Sequence, residues 1–527
     1  MRRAALTLSA SLIALTATAA VTTTASAADF TWAGRTDPST MDPHARNTAP
    51  VLGFLNNIYE GLMRRAPDMS LEPALAASWE PLGDEGWRFH LREGVTFHNG
   101  NDFTADDVLF SYERASSEVS DVRSWFASVS DVQVVDDYTI DFMTSRPDPL
   151  FPTSITNFMI MDRDWAVENG AESPVTEGDN YATLNANGTG AFMVVERAPD
   201  IETVVEAFPD WWDEPMHNID RATFTPITSQ ATAVAALISG EIDFFEPIPL
   251  QDTPRIAENP DLSLIEGIEA RVIFFGFDQA NDELAYSSVE GANPFQDPRV
   301  REAVYRAINV DAIVQTIMRG NAQSTGLLVS PSVAGWTAEQ DQRLDYDPDR
   351  ARELLAEAGY PDGFDFMLRC PNDRYINDEA ICTAVTGMLQ QIGLDVDLLA
   401  EPVSQYFTNL RAGEFDMYML GWSPGTFDSE HPVRFLMATP NEELRLGSWN
   451  FGGYSNPDVD ELLTAVQTTI DPDQRQQDID AIHTILREDR VYVPLFVQPL
   501  VWAAQNNVSV IQRPDNFFLL RWVNVEE

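Results

Sequence analysis

Gly421, Trp422, Ser423, Pro424 and Gly425 form a G-x-S-x-G pentapeptide behind the apolar run FDMYML, and Asp458 and His483 follow in the order of a hydrolytic triad. That chemistry needs the serine on a strand-to-helix elbow, with the helix starting immediately behind the nucleophile and donating N–H groups to the oxyanion. Here Pro424, Gly425 and Thr426 read as a loop, and a helical pattern resumes only near His431. The pentapeptide fixes only three positions and recurs by chance. A hydrolase using Ser423 is therefore the disfavoured reading, and no enzymatic activity is expected.

Metal chemistry has little to work with. The six histidines, His44, His90, His98, His217, His431 and His483, are well separated, with no His-x-His or i, i+4 pair to preform a site. No metal ligand set and no cofactor are expected. Cys370 and Cys382 stand twelve apart with no His or further Cys between them. In an exported chain this pair reads as a disulfide contributing about 3 kcal/mol in the chain-entropy model; two buried free thiols are the alternative.

Charge excludes one class of partner. The 527 residues carry 83 acidic against 33 basic side chains, a formal net charge of -50, and every basic residue is Arg. A nucleic-acid surface needs a basic footprint that this chain lacks. The acid is spread along the sequence, as on a strongly solvated surface of a salt-adapted protein. The 44% hydrophobic share is that of a folded protein, and the length allows more than one core.

The amino terminus sets the compartment. Arg2 and Arg3, the apolar stretch Ala4 to Ala20 and the small residues Ala25 to Ala27 read as a signal peptide spanning 1–27 and cut after Ala27. No later apolar run approaches the roughly 20 residues of a membrane span, and no Cys follows the cleavage site for lipid attachment. A periplasmic protein is expected.

The elements that position these residues alternate between strand and helix throughout, which means an α/β architecture. Trp87, Phe89 and Leu91 alternate with Arg88, His90 and Arg92 as a strand; Asn99-Gly100 marks a turn, and Thr104 with Asp107 makes a capping box. Asp297-Pro298 and Asp347-Pro348 open further helices, and Thr228 to Ser239 is a helix stopped by Gly240 before a strand EIDFF. No Pro- or Gly-rich linker separates independent units.

The literal strings go further than the pattern. WRFHLREGVTFHNGNDFTADDVLFSYER from Trp87, with MDPHARN, IYEGLMRRAPDMSLEPALAASWE, NGTGAFMVVE, FPDWWDE, LISGEIDF, FQDPRVREAVYRAIN and NFGGYSNPDVDELL in order, resembles the extracellular solute-binding proteins of family 5, the dipeptide-, oligopeptide- and nickel-binding subunits of ABC importers. The resemblance implies a two-lobed periplasmic-binding-protein clamshell of the large type, with mixed sheets flanked by helices. Residues 28–49, 181–271 and 495–527 would form lobe I, 50–180 an extra subdomain packed on it, and 272–494 lobe II. The implied function is capture of a small solute between the lobes and its delivery to a transmembrane permease, with no chemistry and as a monomer.

The same resemblance places ligand contacts on lobe II. Arg374, in the loop PNDRYIND with Tyr375, falls where dipeptide-binding members meet the ligand carboxylate, a task suited to a planar guanidinium; a surface ion pair is the alternative. Gly425 falls where the family holds an Asp for a peptide's amino group, so a free-amino dipeptide is disfavoured. Asp428 matches the next acidic position. Trp422 reads either as a stacking wall or as packing under the strand end. The ligand is expected to be peptide-like, opine-like or another organic anion; an oligosaccharide or a metal chelate is the alternative.

Overall fold

Two long strands, Leu262–Phe277 and Tyr492–Gln505, run antiparallel and tie the molecule together. The structure, a computed structural model, describes residues 28–442 and 444–526; the expected signal peptide lies outside the described residues. The two strands pair in two stretches, Leu262–Ile268 against Gln505–Pro499 and Val272–Gly276 against Val497–Tyr492, with the register interrupted between Ile268 and Val272. On one side of the sheet their neighbours are Phe244–Phe245, Ala28–Gly34, Ile219–Pro226, Glu202–Ala207 and Phe192–Ala198. On the other side they are Met417–Trp422, Asp365–Pro371 and Asp395–Glu401. One sheet therefore has two differently built halves.

Sequence explains the two halves. RVIFFGF, from Arg271, is apolar without alternation, and Val272, Ile273, Phe274 and Phe275 are all buried. Such a strand needs cover on both faces, which helices such as Pro298–Ala307 and Asp378–Gln390 and the Tyr406–Tyr418–Tyr492 cluster supply. The other half packs a different core, with Phe30, Trp32, Phe54, Trp502 and Phe518 in aromatic contact. Residues between Leu62 and Ile160 hold a core of their own around Phe89, Phe97 and Phe142, beside a four-stranded antiparallel sheet of Ala76–Pro81, Gly86–Leu91, Thr139–Thr144 and Val129–Asp136.

Local signals act where the sequence puts them. Thr104 N–H donates to the Asp107 carboxylate at 3.0 Å at the start of helix Ala105–Ala115. Asp297 and Asp347 cap Pro298–Ala307 and Pro348–Glu357 through the backbone N–H of Arg299 and Arg350. Gly240, at φ 73°, ends helix Gln230–Ser239 in the left-handed conformation that favours glycine. The strand expected over EIDFF shrinks to Phe244–Phe245, because the Asp243 carboxylate accepts Thr31 N–H at 2.7 Å in place of a ladder carbonyl. Cys370 and Cys382 are joined as a disulfide, tying strand Asp365–Pro371 to helix Asp378–Gln390 across the loop that carries Arg374. Among the described residues no helix is long and apolar enough to cross a membrane.

Candidate functional site

A cavity of about 2110 Å³ opens where the two halves of the sheet meet. One wall comes from residues between Asn47 and Asn157 and from the carboxyl-terminal segment Arg513 to Arg521; the other comes from Ser423 to Ser448 and Gln467. Glu269 and Arg271, at the interruption in the long strand, lie between them. This space exceeds the roughly 300–1,000 Å³ of drug-sized pockets. The walls touch where Arg65 donates to the Thr426 carbonyl at 2.7 Å and lies 4.9 Å over the Phe427 ring. Burial lowers the Arg65 pKa to about 10, so the group stays charged at neutral pH.

The walls reverse the sign of the rest of the molecule. Arg64, Arg65, Arg123, Arg146, Arg513 and Arg521 line one side, and Arg271, Arg434 and Arg445 complete nine arginines against five carboxylates: Asp148, Glu269, Glu430, Glu442 and Asp515. Several of those acids are already engaged. Glu269 pairs with Arg271 at 3.0 Å, Asp515 pairs with Arg513, and Glu430 accepts Gln467 Nε2 at 2.6 Å while burial raises its pKa. In a chain of net charge -50, this lining has the opposite formal balance.

The loop from Gly421 to His431 shapes one wall. A Cβ on Gly421 would lie 2.7 Å from the Tyr375 ring and from Ile273, so only glycine lets Tyr375 pack across the strand end. Trp422 stands behind the wall, its ring 5.5 Å from both His431 and Trp449 and 5.8 Å from Phe435. Its Nε1 donates to His431 Nδ1 at 3.1 Å. Indole N–H only donates, so His431 carries its proton on Nε2. Burial, then the charge of Arg434, lowers the His431 pKa to about 3. The cavity therefore meets a neutral imidazole with one fixed donor beside Gly425, whose own Cβ position lies 3.6 Å from that Nε2.

Of the five ligand contacts expected from sequence, only Gly425 lies on the cavity wall. The Arg374 side chain is exposed, its guanidinium 5.1 Å over the Tyr375 ring. Tyr375 is buried, with its hydroxyl 3.5 Å from the Gly421 carbonyl. Asp428 is 3% exposed, and its carboxylate is held by Arg475, at 2.7 and 2.8 Å, and by the Glu430 N–H at 2.8 Å rather than turned to the cavity. The hydrolytic constellation is not assembled. Ser423 lines this cavity, His483 lines a separate cavity of about 560 Å³, and Asp458 is exposed at the start of helix Pro457–Thr468. Behind Ser423 comes a turn closed by Phe427 N–H to the Pro424 carbonyl at 3.0 Å. Sequence reading missed Arg65, Arg434, Arg513 and Arg521; an Arg beside a run of aromatic residues, as in NFFLLRW, is the one signal that marked Arg521.

Two half-sheets joined by two continuous strands, with a polar cavity at the junction, define a two-lobed solute-binding protein. The chain belongs to the bacterial extracellular solute-binding proteins, family 5, whose middle-region profile matches residues 70–442. Proteins of this family deliver small-molecule ligands to the permeases of ABC importers. The chain is 28% identical over 487 residues to the glutathione-binding protein GsiB of Salmonella typhi, covering 89% of each chain, and 27% identical over the same length to GsiB of Escherichia coli K12. Its fold matches HbpA2 from Haemophilus parasuis, with a TM-score of 0.82 at 21% identity over 95% of this chain and 100% of that one. It also matches DppA from Helicobacter pylori in complex with the peptide STSA, with a TM-score of 0.72 at 24% identity over 95% and 98%.

Proposed function

We propose that the protein captures a small organic anion, peptide-like or opine-like, in the arginine-lined cavity, and that it works in the periplasm after cleavage behind Ala27. The observation that carries this reading is the excess of nine arginines over five carboxylates in one concavity of a strongly acidic chain. Most of those carboxylates already hold a donor, and Gly425 brings none, so the site suits acids and offers little to a free ammonium group. The same reading takes residues 28–49, 181–271 and 495–527 as lobe I, 50–180 as a subdomain on it and 272–494 as lobe II. The hinge then lies at the register break near Ile268 to Val272. No reacting group is needed: a ligand touching both walls favours the closed form, and the permease reads closure.

Scattering and chromatography test this together. Small-angle scattering with and without ligand should show compaction, and chromatography of the recovered ligand should show it unchanged. Steady conversion of the ligand, abolished by Ser423→Ala, is the result that contradicts the carrier reading. Because relatives are named for glutathione, which carries a free amino group, that tripeptide is titrated beside its N-acetyl form, and the acetylated form should bind more tightly.

A further inference from the structure

Two guanidinium groups on opposite walls face the cavity with no acid bound to either among the described residues. Arg521 is 8% exposed, lies 4.5 Å over the Trp522 ring, and has a buried Nε without an acceptor. Its neighbours Arg64 and Arg513 have their own acids: Arg64 holds Glu72 at 2.6 Å and Asp213 at 2.8 Å, and Arg513 holds Asp515. Glu60, whose charge also reaches Arg521, is occupied by Trp212 Nε1 at 2.7 Å and Thr189 Oγ1 at 2.9 Å. Across the cavity, Arg434 lies 5.2 Å over the Phe435 ring, again with a buried Nε that has no acceptor, one turn from the His431 donor.

Each guanidinium thus keeps a buried Nε donor without an acceptor, and a native structure that leaves such a donor unpaired has a use for it. The nearby carboxylates do not accept from these Nε groups: Glu60 and Glu72 near Arg521 and Glu430 near Arg434 make their hydrogen bonds with other donors. Resting on the reading of this cavity as the carrier's ligand site, we infer that the ligand carries two separate acidic groups, one received by Arg521 and the other by Arg434. The substrate class is a diacid or larger polyacid with a neutral middle. A single acid occupies one wall; two acids tie the walls together, so the second acid selects the closed form.

The test uses the mature protein and a series of N-acetylated tripeptides on one backbone: the carboxamide with no acid, the free acid with one, and the same peptide with glutamate at its first position, giving two. Calorimetry should show the second carboxylate tightening binding about tenfold or more, as charge-assisted hydrogen bonds allow, and only the diacid should compact the protein in scattering. Arg521→Gln and Arg434→Gln should each reduce the diacid to the level of the monoacid. Without ligand, Arg521→Gln should melt no lower than wild type, because it removes a buried donor without an acceptor that stands beside the like charges of Arg64 and Arg513. Sodium phosphate, against sodium chloride at matched ionic strength, gives a peptide-independent readout: thermal protection that each variant reduces supports the inference, and no protection of the wild type overturns it. Arg521→Gln melting well below wild type with the charge preference intact overturns it by making Arg521 a packing residue. A neutral peptide that binds and compacts the protein as well as the diacid also overturns it but leaves the carrier reading standing, whereas conversion of any probe sinks that reading instead.

Discussion

Trp422 Nε1 donates to His431 Nδ1 at 3.1 Å, and this one bond decides what the cavity meets beside Gly425. It fixes the imidazole as the Nε2–H tautomer, and burial keeps the ring neutral down to a pKa of about 3. His431 is therefore a hydrogen-bond donor of constant charge on the cavity wall. His431→Phe should weaken anion binding by about 1 kcal/mol, the usual value of one neutral hydrogen bond, while the affinity of the wild type stays flat between pH 5 and 8. Calorimetry across that range checks both; an affinity that climbs as pH falls through 6.5 would show the ring titrating.

Asp428 and Arg475 form a bidentate pair beneath the Gly425 loop, with Asp428 3% exposed. Removing one partner strands the other's charge, which typically costs 3–5 kcal/mol. Asp428→Asn is accordingly expected to lower unfolding stability by about 3 kcal/mol in urea titrations. A loss of ligand affinity with unchanged stability would instead return Asp428 to the list of ligand contacts.

The Cys370–Cys382 bridge closes a short loop between a core strand and a helix. Its reduction, or Cys370→Ser with Cys382→Ser, should cost about 2–3 kcal/mol. Arg374 is exposed on that loop and off the cavity wall, so ligand affinity measured under native conditions should change by less than about threefold. A large drop in affinity would restore the loop to the binding site.

His44 makes stability depend on pH. Arg114 donates to its Nδ1 at 3.0 Å and its own Nε2–H donates to the Met159 carbonyl at 2.9 Å. Burial, reinforced by the Arg114 charge, lowers its pKa from 6.5 to about 3. Between those values the unfolded chain binds the extra proton and the native one does not, so stability rises with pH in that window and is lost as pH falls from 6.5. Relative to His44→Gln, which has no proton to gain, wild type should lose about 2–3 kcal/mol between pH 7 and 4.5, since one pKa unit is about 1.4 kcal/mol. A difference that stays constant with pH would mean that His44 protonates freely in the native state.

Much of the fold was legible because its signals are local. Caps such as Asp297 before Pro298, the turn at Gly240 and the apolar run RVIFFGF each act within a few residues, and the family strings preserve their order along the chain. The site was much less legible. Arg65 and Arg521, or Arg434 and Arg475, meet their surroundings only after the two long strands have brought distant segments together. Asp428 read as an available acid because its partner lies 47 residues away. Arg374 read as a contact because the loop string matched, while the folded loop leaves its side chain exposed over the buried Tyr375. Gly425 was readable as a position on the cavity wall, since it lies in an ungapped loop of the family string.

Native mass spectrometry of the protein released gently from the cell envelope, wild type beside Arg521→Gln, identifies the occupant of the cavity. The wild type should retain about one equivalent of a compound with acidic groups and no free amine, unchanged in mass after prolonged incubation, and Arg521→Gln should lose it. Retention of an amine or metal cation, or equal retention of the same compound by Arg521→Gln, would contradict an acidic ligand held by Arg521.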